Sequence, residues 1–416
     1  MIDRLLSATV PHGAVPLRDH DAVHGPLPGV GARDLDALVG TLGAAGLRGR
    51  GGAGFPASRK LAAVAANAGR RARPVVVVNG TEGEPASGKD RLLLHTQPHL
   101  VLDGAVLVAR ALGATEIHVV APAGTLPGLG AAVRERDGRR EPAVRLLAAA
   151  RGYVAGEETA VLAHLEGRPA RPRVTPPRPG ERGRDGRPTL LQNVETLAHV
   201  ALIARHGHDW FRHHGTAERP GTTLVTLSGA LAAGGVREVA VGTPIPALVA
   251  AAGHPTEPLR ALLIGGYFGA WIDARDAPAL TDTALRPLGA SVGAGVVIAL
   301  GASECPVRRV ATLGAWMAGQ SAGQCGPCVS GLDAIAGALH AFAVGTAGAR
   351  ELALLDRWTA MVDGRGACAH PTGTARMIHS ATVLFAEELY DHAHHGSCRA
   401  CATGAPAGRT RRTVPA

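Results

Sequence analysis

Six cysteines are spread over 416 residues, four of them in two C-x-x-C pairs. Cys325 and Cys328 lie in S-A-G-Q-C-G-P-C (321–328), and Cys398 and Cys401 follow H-A-H-H-G (392–396); Cys305 and Cys368 stand singly in ASECPVRRV and GRGACAHPTG. C-G-P-C is compatible with a thiol–disulfide couple, half of a zinc site or part of an iron–sulfur cradle. The thioredoxin-like reading wants a preceding strand inside a βαβ unit, whereas LGAWMAGQSAG before it and GLDAIAGALHAFA after it are helical in pattern. A zinc reading pairs Cys325/Cys328 with Cys398/Cys401 as two knuckles, across a span far longer than a zinc-finger loop. A cluster reading needs four thiolates. His392, His394 and His395 are read as a solvated tail in preference to ligands.

A second chemistry-bearing set lies upstream. GRGGAG (49–54) matches G-x-G-x-x-G by letter, but a helix rather than a strand precedes it, so the ordinary dinucleotide fingerprint fails. Loop amides, the following helix N-terminus, Arg50 and Lys60 nevertheless offer positive potential to a phosphate. N-G-T-E-G-E-P (79–85) follows a buried-strand run, where open α/β sheets place ligand sites. G-E-E-T (156–159) opens a helix. Two acidic loops at one sheet edge suit a ring system with N–H donors better than a bare phosphate.

The elements that must position these residues follow from periodicity. RDLDALVGTLGAA (33–45) and PASRKLAAVAANAG (56–69) read as helices on either side of the glycine loop. RPVVVVNG (73–80) reads as a buried strand, HLVLDGAVLVARALG (99–113) as a helix and ATEIHVVAPAG (114–124) as the next strand. That alternation argues a parallel sheet with crossover helices. The stretch 168–188 is a long Pro/Arg loop, and PTLLQNVETLAHVALIARHG is read as a return to helix. Short β-like runs from about 221 and a helical pattern from about 306 complete the chain. The expected division is an irregular lead-in (1–32), an α/β domain (33–220), a small α+β domain (221–304), a helical Cys-containing domain (305–401) and a disordered basic tail (402–416).

Composition bounds the reading. Apolar residues make up 46% and aromatics 3%, and net charge is +9 with Lys60 and Lys89 the only lysines. The arginine runs at 168–188 and 408–413 contain no aromatic platforms, so nucleic-acid binding is not expected; an acidic protein partner or a phosphorylated cofactor suits the charge better. No run has the roughly 18 uninterrupted apolar residues of a membrane span, and the N-terminus lacks a signal-peptide h-region. A cytoplasmic protein using close cysteine pairs for metal or redox chemistry is expected.

GLRGRGGAGFP (46–56), NGTEGEP with KDR (79–91), RGYVAGEETA (151–160), LEGRPARPR (165–173) and PTLLQNVETLA (188–198) occur in this order. Together they resemble the FMN- and NADH-binding flavoprotein component (the F subunit) of respiratory complex I, shared with diaphorase subunits of soluble hydrogenases and formate dehydrogenases. The resemblance covers roughly residues 35 to 370. It implies a Rossmann-like FMN domain, a ubiquitin-like β-grasp domain and a helical bundle with a [4Fe–4S] cluster. Carried over by motif, Gly49, Arg50, Gly51, Gly52, Gly54, Phe55 and Lys60 line the flavin-phosphate and dinucleotide cleft. Asn79, Glu82, Glu84, Tyr153, Gly156, Glu157, Glu158, Asn193 and Thr196 contact the flavin or nicotinamide side, with Glu84 and Glu157 as the carboxylates at the chemistry. Cys325, Cys328 and Cys368 align with cluster ligands. The implied activity is NAD(P)H oxidation through FMN, with electrons passed singly to an iron–sulfur centre and to other electron-transfer subunits.

This chain departs from that pattern at several positions. Thr81 replaces an Asp, Leu61, Ala62 and Ala63 replace an aromatic-containing run, and Thr175-Pro176-Pro177-Arg178-Pro179 lacks the family's lysine and phenylalanine. Gln192 replaces an Asn, and Ala322 stands at the first cluster ligand. Most fall on the nicotinamide side, and lost stacking partners are worth about 1 kcal/mol each. A relay of FMN and iron–sulfur fed by ferredoxin, and a non-catalytic subunit with a zinc-stabilised C-terminus, are the alternatives. For the fourth cluster ligand the candidates are Cys305, Cys398, Cys401 and Ser321, or there is no cluster.

Overall fold

The computed structural model describes residues 2–7, 13–69, 72–174 and 177–403. The chain forms two compact units, one of Met1–Thr226 with Val236–Thr243 and one of Leu227–Gly235 with Pro244–Ala416.

In the first unit, β1 (Val75–Asn79), β2 (Glu116–Ala121), β3 (Ala143–Ala148) and β4 (Thr189–Asn193) form an all-parallel sheet in the order β3-β2-β1-β4. Four consecutive valines make β1 a strand buried on both faces. Val76 and Val78 pack into a core with Leu100, Val106 and Leu107 of the helix Pro98–Leu112 and Val200 and Ile203 of the helix Val194–Arg212. Val75 and Val77 join Val161 and Leu162 of the helix Glu158–Leu165 on the other face. Each such buried side chain contributes about 1.5–3 kcal/mol, so helices on both faces hold β1 rigid. The two large helices cross closely at Gly104, where a Cβ would stand 1.9 Å from the Leu197 carbonyl oxygen.

Three local expectations are corrected. The lead-in 1–32 contains a helix, Leu17–His24, and residues 189–193 are the strand β4 rather than the start of a helix. AVRLLA (143–148) is the edge strand β3, which periodicity did not single out. The Pro/Arg stretch is irregular apart from one 3-10 turn, Arg184–Gly186; its Thr175 and Pro176 lie outside the described residues, as does 404–416 of the expected tail.

β5 (Thr222–Gly229) and β6 (Gly235–Ala240) are joined by a short turn, and the division between units passes through them. In the second unit, β7 (Leu259–Ile264) pairs antiparallel with β8 (Ala270–Asp273) and β9 (Val296–Gly301). The helices Pro306–Gly319, Asp333–Ala343, Ala349–Val362, His370–Leu384, Ala386–His395 and Arg399–Thr403 follow, with a π-helical turn at Pro327–Leu332. No single described helix is long and apolar enough to cross a membrane. Among the described helices one pair, Lys89–Thr96 and Pro98–Leu112, bent by 95°, has the length and apolar content, and Pro98–Leu112 is buried in the first unit's core.

Candidate functional site

β1 and β4 end side by side, with Asn79 and Asn193 as register partners. β2 lies on the other side of β1, so the direction of strand succession reverses between β1 and β4. In open α/β sheets such a switch point, at the carboxyl ends of the strands, is where ligands bind. The two asparagines fix the loops around it. Asn79 Nδ2 donates to the Gly156 carbonyl at 2.9 Å. Asn193 caps the helix Val194–Arg212 by accepting from the Glu195 N–H at 3.0 Å, and its Nδ2 donates to Asp90 at 2.6 Å.

The glycine loop lies over this point. A Cβ on Gly51 would sit 3.4 Å from Asn193 Cβ. The loop is closed by the Gly49 N–H to the Phe55 carbonyl (2.8 Å) and anchored by the Arg50 N–H to Thr196 Oγ1 (2.9 Å). Gly52 (φ 106°) and Gly54 (φ 61°) occupy backbone conformations that favour glycine. Among the described residues the amides of 51–54 donate to no protein acceptor. Successive unpartnered amides in a turn form an anion-binding concavity, so this loop fits a phosphate. Phe55, 46% exposed, stands at the loop's end as an aromatic surface.

The carboxylates around the switch point differ in how far they are already engaged. Glu82, in a left-handed conformation (φ 47°), accepts from the Asp90 and Arg91 amides at 2.9 and 3.0 Å and from Ser87 Oγ at 2.7 Å. It holds the start of the helix Lys89–Thr96. Glu157 caps the helix Glu158–Leu165 through the amides of Thr159 and Ala160, at 2.9 and 3.0 Å. Glu84 is buried and accepts from Tyr153 Oη at 3.2 Å. Gly83 permits that approach, because a Cβ there would stand 2.3 Å from the Tyr153 carbonyl oxygen. Glu158 is ion-paired with Lys60. Thr81, at the family's Asp position, is buried with Oγ1 lacking a hydrogen-bond partner. A buried hydroxyl left this way costs about 1–3 kcal/mol, and a polar ring edge would satisfy it. Leu61 is buried in the core of the first unit.

Arg50 is a correction to the phosphate reading of its side chain. The guanidinium is buried, donates to the Thr222 carbonyl at 2.9 Å and lies 3.8 Å from Glu195. Only its backbone serves the loop. The cause is Glu195, fully buried and requiring cations: Lys89 Nζ lies 3.0 Å from it and 2.7 Å from Asp90. Burial pushes the Glu195 carboxyl upward, but Lys89, His199 and Arg50 outweigh it and hold it well below the usual carboxylate range. Burial raises Asp90 to about 6 despite Lys89. Lys89, Asp90 and Glu195 are the residues that motif reasoning left out of the site; the scarcity of lysine was their signal.

In the second unit, Cys325 and Cys328 flank the entry to the π-helical turn Pro327–Leu332, and such turns recur at functional sites. Burial pushes the Cys328 thiol up to about 12, reinforced by Cys325 and Cys368 and opposed by a hydrogen bond with Ser321. Cys325, Cys368 and the Ser321 hydroxyl, which comes from the residue before Ala322, thus lie near enough to act on Cys328. By donor chemistry, three thiols and one hydroxyl around this point suit an iron–sulfur cluster. Cys305, Cys398 and Cys401 are not drawn to this point: their donor atoms lie together with His392 Nε2, all within 4.8 Å. The pairing of Cys325/Cys328 with Cys398/Cys401 therefore does not form, since each knuckle has found different partners. His392 is fully buried, which corrects its reading as solvated tail, while His394 and His395 are exposed.

Comparison with known proteins agrees with both halves of this description. Residues 42–202 match the Nuo51 FMN-binding domain and residues 309–392 the NADH-ubiquinone oxidoreductase-F iron-sulfur binding region. The chain is 30% identical over 381 residues to the second NADH-quinone oxidoreductase F subunit of Rhizobium meliloti (strain 1021), covering 87% of this chain and 90% of that one. It is 31% identical over 388 residues to the NADH-quinone oxidoreductase F subunit of Streptomyces coelicolor, covering 87% and 84%. A chain of the NAD+-reducing [NiFe]-hydrogenase in its H2-reduced state superposes with a TM-score of 0.81 at 31% identity; the match covers 87% of this chain and 63% of that chain. With its phosphate-type glycine loop at a parallel-sheet switch point and its separate cysteine cradle, this chain belongs to the family of NADH-quinone oxidoreductase F subunits.

Proposed function

We propose that this chain is an FMN-dependent oxidoreductase subunit that takes electrons from a pyridine nucleotide and passes them singly, through a [4Fe–4S] centre, to partner electron-transfer subunits. The observation that carries it is the unpartnered amide row of 51–54 lying over the Asn79/Asn193 switch point. When bound, FMN accepts a hydride as an electron pair and an iron–sulfur centre relays electrons one at a time. The protein's own residues bind and orient. The amides of 51–54, with the Lys60 ammonium beside Glu158, hold a phosphate; Phe55 offers a stacking face. Thr81 Oγ1 and the Glu84–Tyr153 pair supply polar partners for ring edges. Glu157, engaged as a helix cap, keeps the 153–158 turn in place. Cys325, Cys328 and Cys368 hold the cluster, with Ser321 as the fourth donor. Residues 221–304, whose larger part falls in the second unit, correspond in this reading to the β-grasp part and 305–401 to the iron–sulfur part.

Anaerobic purification tests this. Stoichiometric FMN, iron approaching four per chain and bleaching by NADH are expected; colourless protein overturns the reading. Flavin that NADH leaves oxidised but reduced ferredoxin bleaches would shift the donor to ferredoxin. Lys60→Ala is expected to weaken FMN retention about tenfold, the cost of one charge-assisted contact, measured by flavin release on dilution.

A further inference from the structure

The quartet Cys305, His392, Cys398 and Cys401 lies outside the cradle and has its own geometry. Cys398 Sγ is 3.7 Å from Cys305 Sγ and 3.8 Å from Cys401 Sγ. His392 Nε2 is 3.4 Å from Cys305 Sγ and 3.5 Å from Cys401 Sγ. A tetrahedral ion with metal–sulfur bonds of about 2.3 Å and metal–nitrogen bonds of about 2.0–2.1 Å requires S···S edges of about 3.8 Å and S···N edges of about 3.5 Å. The four edges agree with one ion at the centre. They disagree with a cubane, which puts each thiolate on a different iron and spreads its ligands apart.

We infer that Cys305, His392, Cys398 and Cys401 bind a single Zn2+ in a closed, structural Cys3His site distinct from the electron-transfer cluster. Three of the ligands are buried and the fourth, Cys401, is half-buried, which leaves no open coordination position of the kind catalytic zinc keeps. Thiolate and imidazole donors in a tetrahedron select zinc over harder cations. The surroundings already support this. His392 Nδ1 donates to the Phe342 carbonyl at 2.7 Å, fixing the tautomer that leaves the Nε2 lone pair toward the sulfurs. Cys305 caps the helix Pro306–Gly319, and its sulfur accepts the Arg308 N–H at 3.5 Å. Three thiolates on Zn2+ leave one net negative charge, and Arg308 lies near enough for its charge to act on both His392 and Cys401. Gly396, in the left-handed conformation, ends the helix Ala386–His395 so that the chain turns back and delivers Cys398 and Cys401. The site thereby ties the start of the helical region to its last described helix.

The test is metal analysis of the full-length protein, purified from zinc-supplemented medium, beside a Cys401→Ser variant. One zinc per wild-type chain, lost in the variant while iron and flavin stay, is the expected result. Wild-type protein without zinc, or iron lost together with zinc in Cys401→Ser, overturns the proposal, the latter by assigning the quartet to the cluster. Should Cys401→Ser fail to fold, His392→Cys provides the second arm, since it keeps four soft donors. It should retain zinc, and its Co2+-substituted form should show stronger sulfur-to-metal charge transfer than Co2+-substituted wild type. Loss of zinc from His392→Cys, or unchanged Co2+ spectra, overturns the assignment of His392 as a ligand.

Discussion

The two cysteine groups of the second unit use the same side chain under opposite constraints. Cys325 and Cys328 lie on a turn whose residues 323–326 are largely exposed, and Cys328 interacts with Cys325, Cys368 and Ser321. Around Cys305 the donors form a compact tetrahedron, with the histidine's second nitrogen already committed to a backbone carbonyl. A centre that hands electrons to a partner gains from lying near the surface, whereas an ion that staples helices gains from closure. Exposure and surroundings, not the C-x-x-C letters, separate the two groups.

The sharpest way to break this contrast is Cys328→Ser. Cys328 is buried and interacts with Cys325, Cys368 and Ser321, so its loss should reduce bound iron and visible absorbance by tenfold or more while zinc stays at one per chain. Iron surviving in that variant would move the cluster elsewhere. Anaerobic treatment with a zinc-selective chelator should act the other way. Structural zinc binds small peptides with about 10–16 kcal/mol. If only about 3–4 kcal/mol of that remains as net stabilisation, the thermal midpoint falls by about 10 °C for a unit of this size, with the iron spectrum intact. A midpoint shift below about 2 °C, followed by calorimetry, would contradict a structural role.

Ala322→Cys sharpens the comparison from the cradle's side. It adds the thiolate the family motif carries, and should raise iron per chain and alter the EPR signal of the reduced centre without affecting zinc. Unchanged iron and EPR would argue that residue 322 does not face the cluster.

How far the sequence reached these conclusions depended on whether partners were close along the chain. The glycine loop, NGTEGEP and GEET could be read because each is a local motif beside its own strand or helix. β1 announced itself with four valines, but β4 did not: TLLQN carries no alternation because both of its faces are buried, and it runs directly into helical VETLAH. Arg50 looked like a phosphate ligand by position, and only Glu195, 145 positions on and buried, explains why its side chain turns inward. The quartet lay furthest out of reach. Cys305 and His392 are 87 positions apart and Cys305 and Cys398 are 93 apart, so no spacing rule joins them before the helices pack. Cys325, Cys328 and Cys368 were legible through the motif, and Ser321 stood among the candidates for their companion, but only the fold separates it from Cys305, Cys398 and Cys401 by placing it beside Cys328 and them beside His392.

The smallest expected effect concerns that serine. Ser321 Oγ accepts the Gly323 N–H at 3.0 Å and hydrogen-bonds with Cys328, so its removal in Ser321→Ala costs about 1 kcal/mol if it acts through hydrogen bonding alone, about a fivefold faster loss of iron to chelator. If it is instead the fourth donor to the cluster, the loss is larger and depends on residue 322. In an Ala322→Cys background a thiolate takes that corner, and Ser321→Ala should then cost no more than the hydrogen bond. The double-mutant cycle isolates the difference: a coupling energy above about 1 kcal/mol between positions 321 and 322, read from iron-release rates, identifies Ser321 as a ligand, and strict additivity identifies it as a hydrogen-bonding neighbour. Zinc content should stay constant in all four proteins, because neither residue belongs to the quartet.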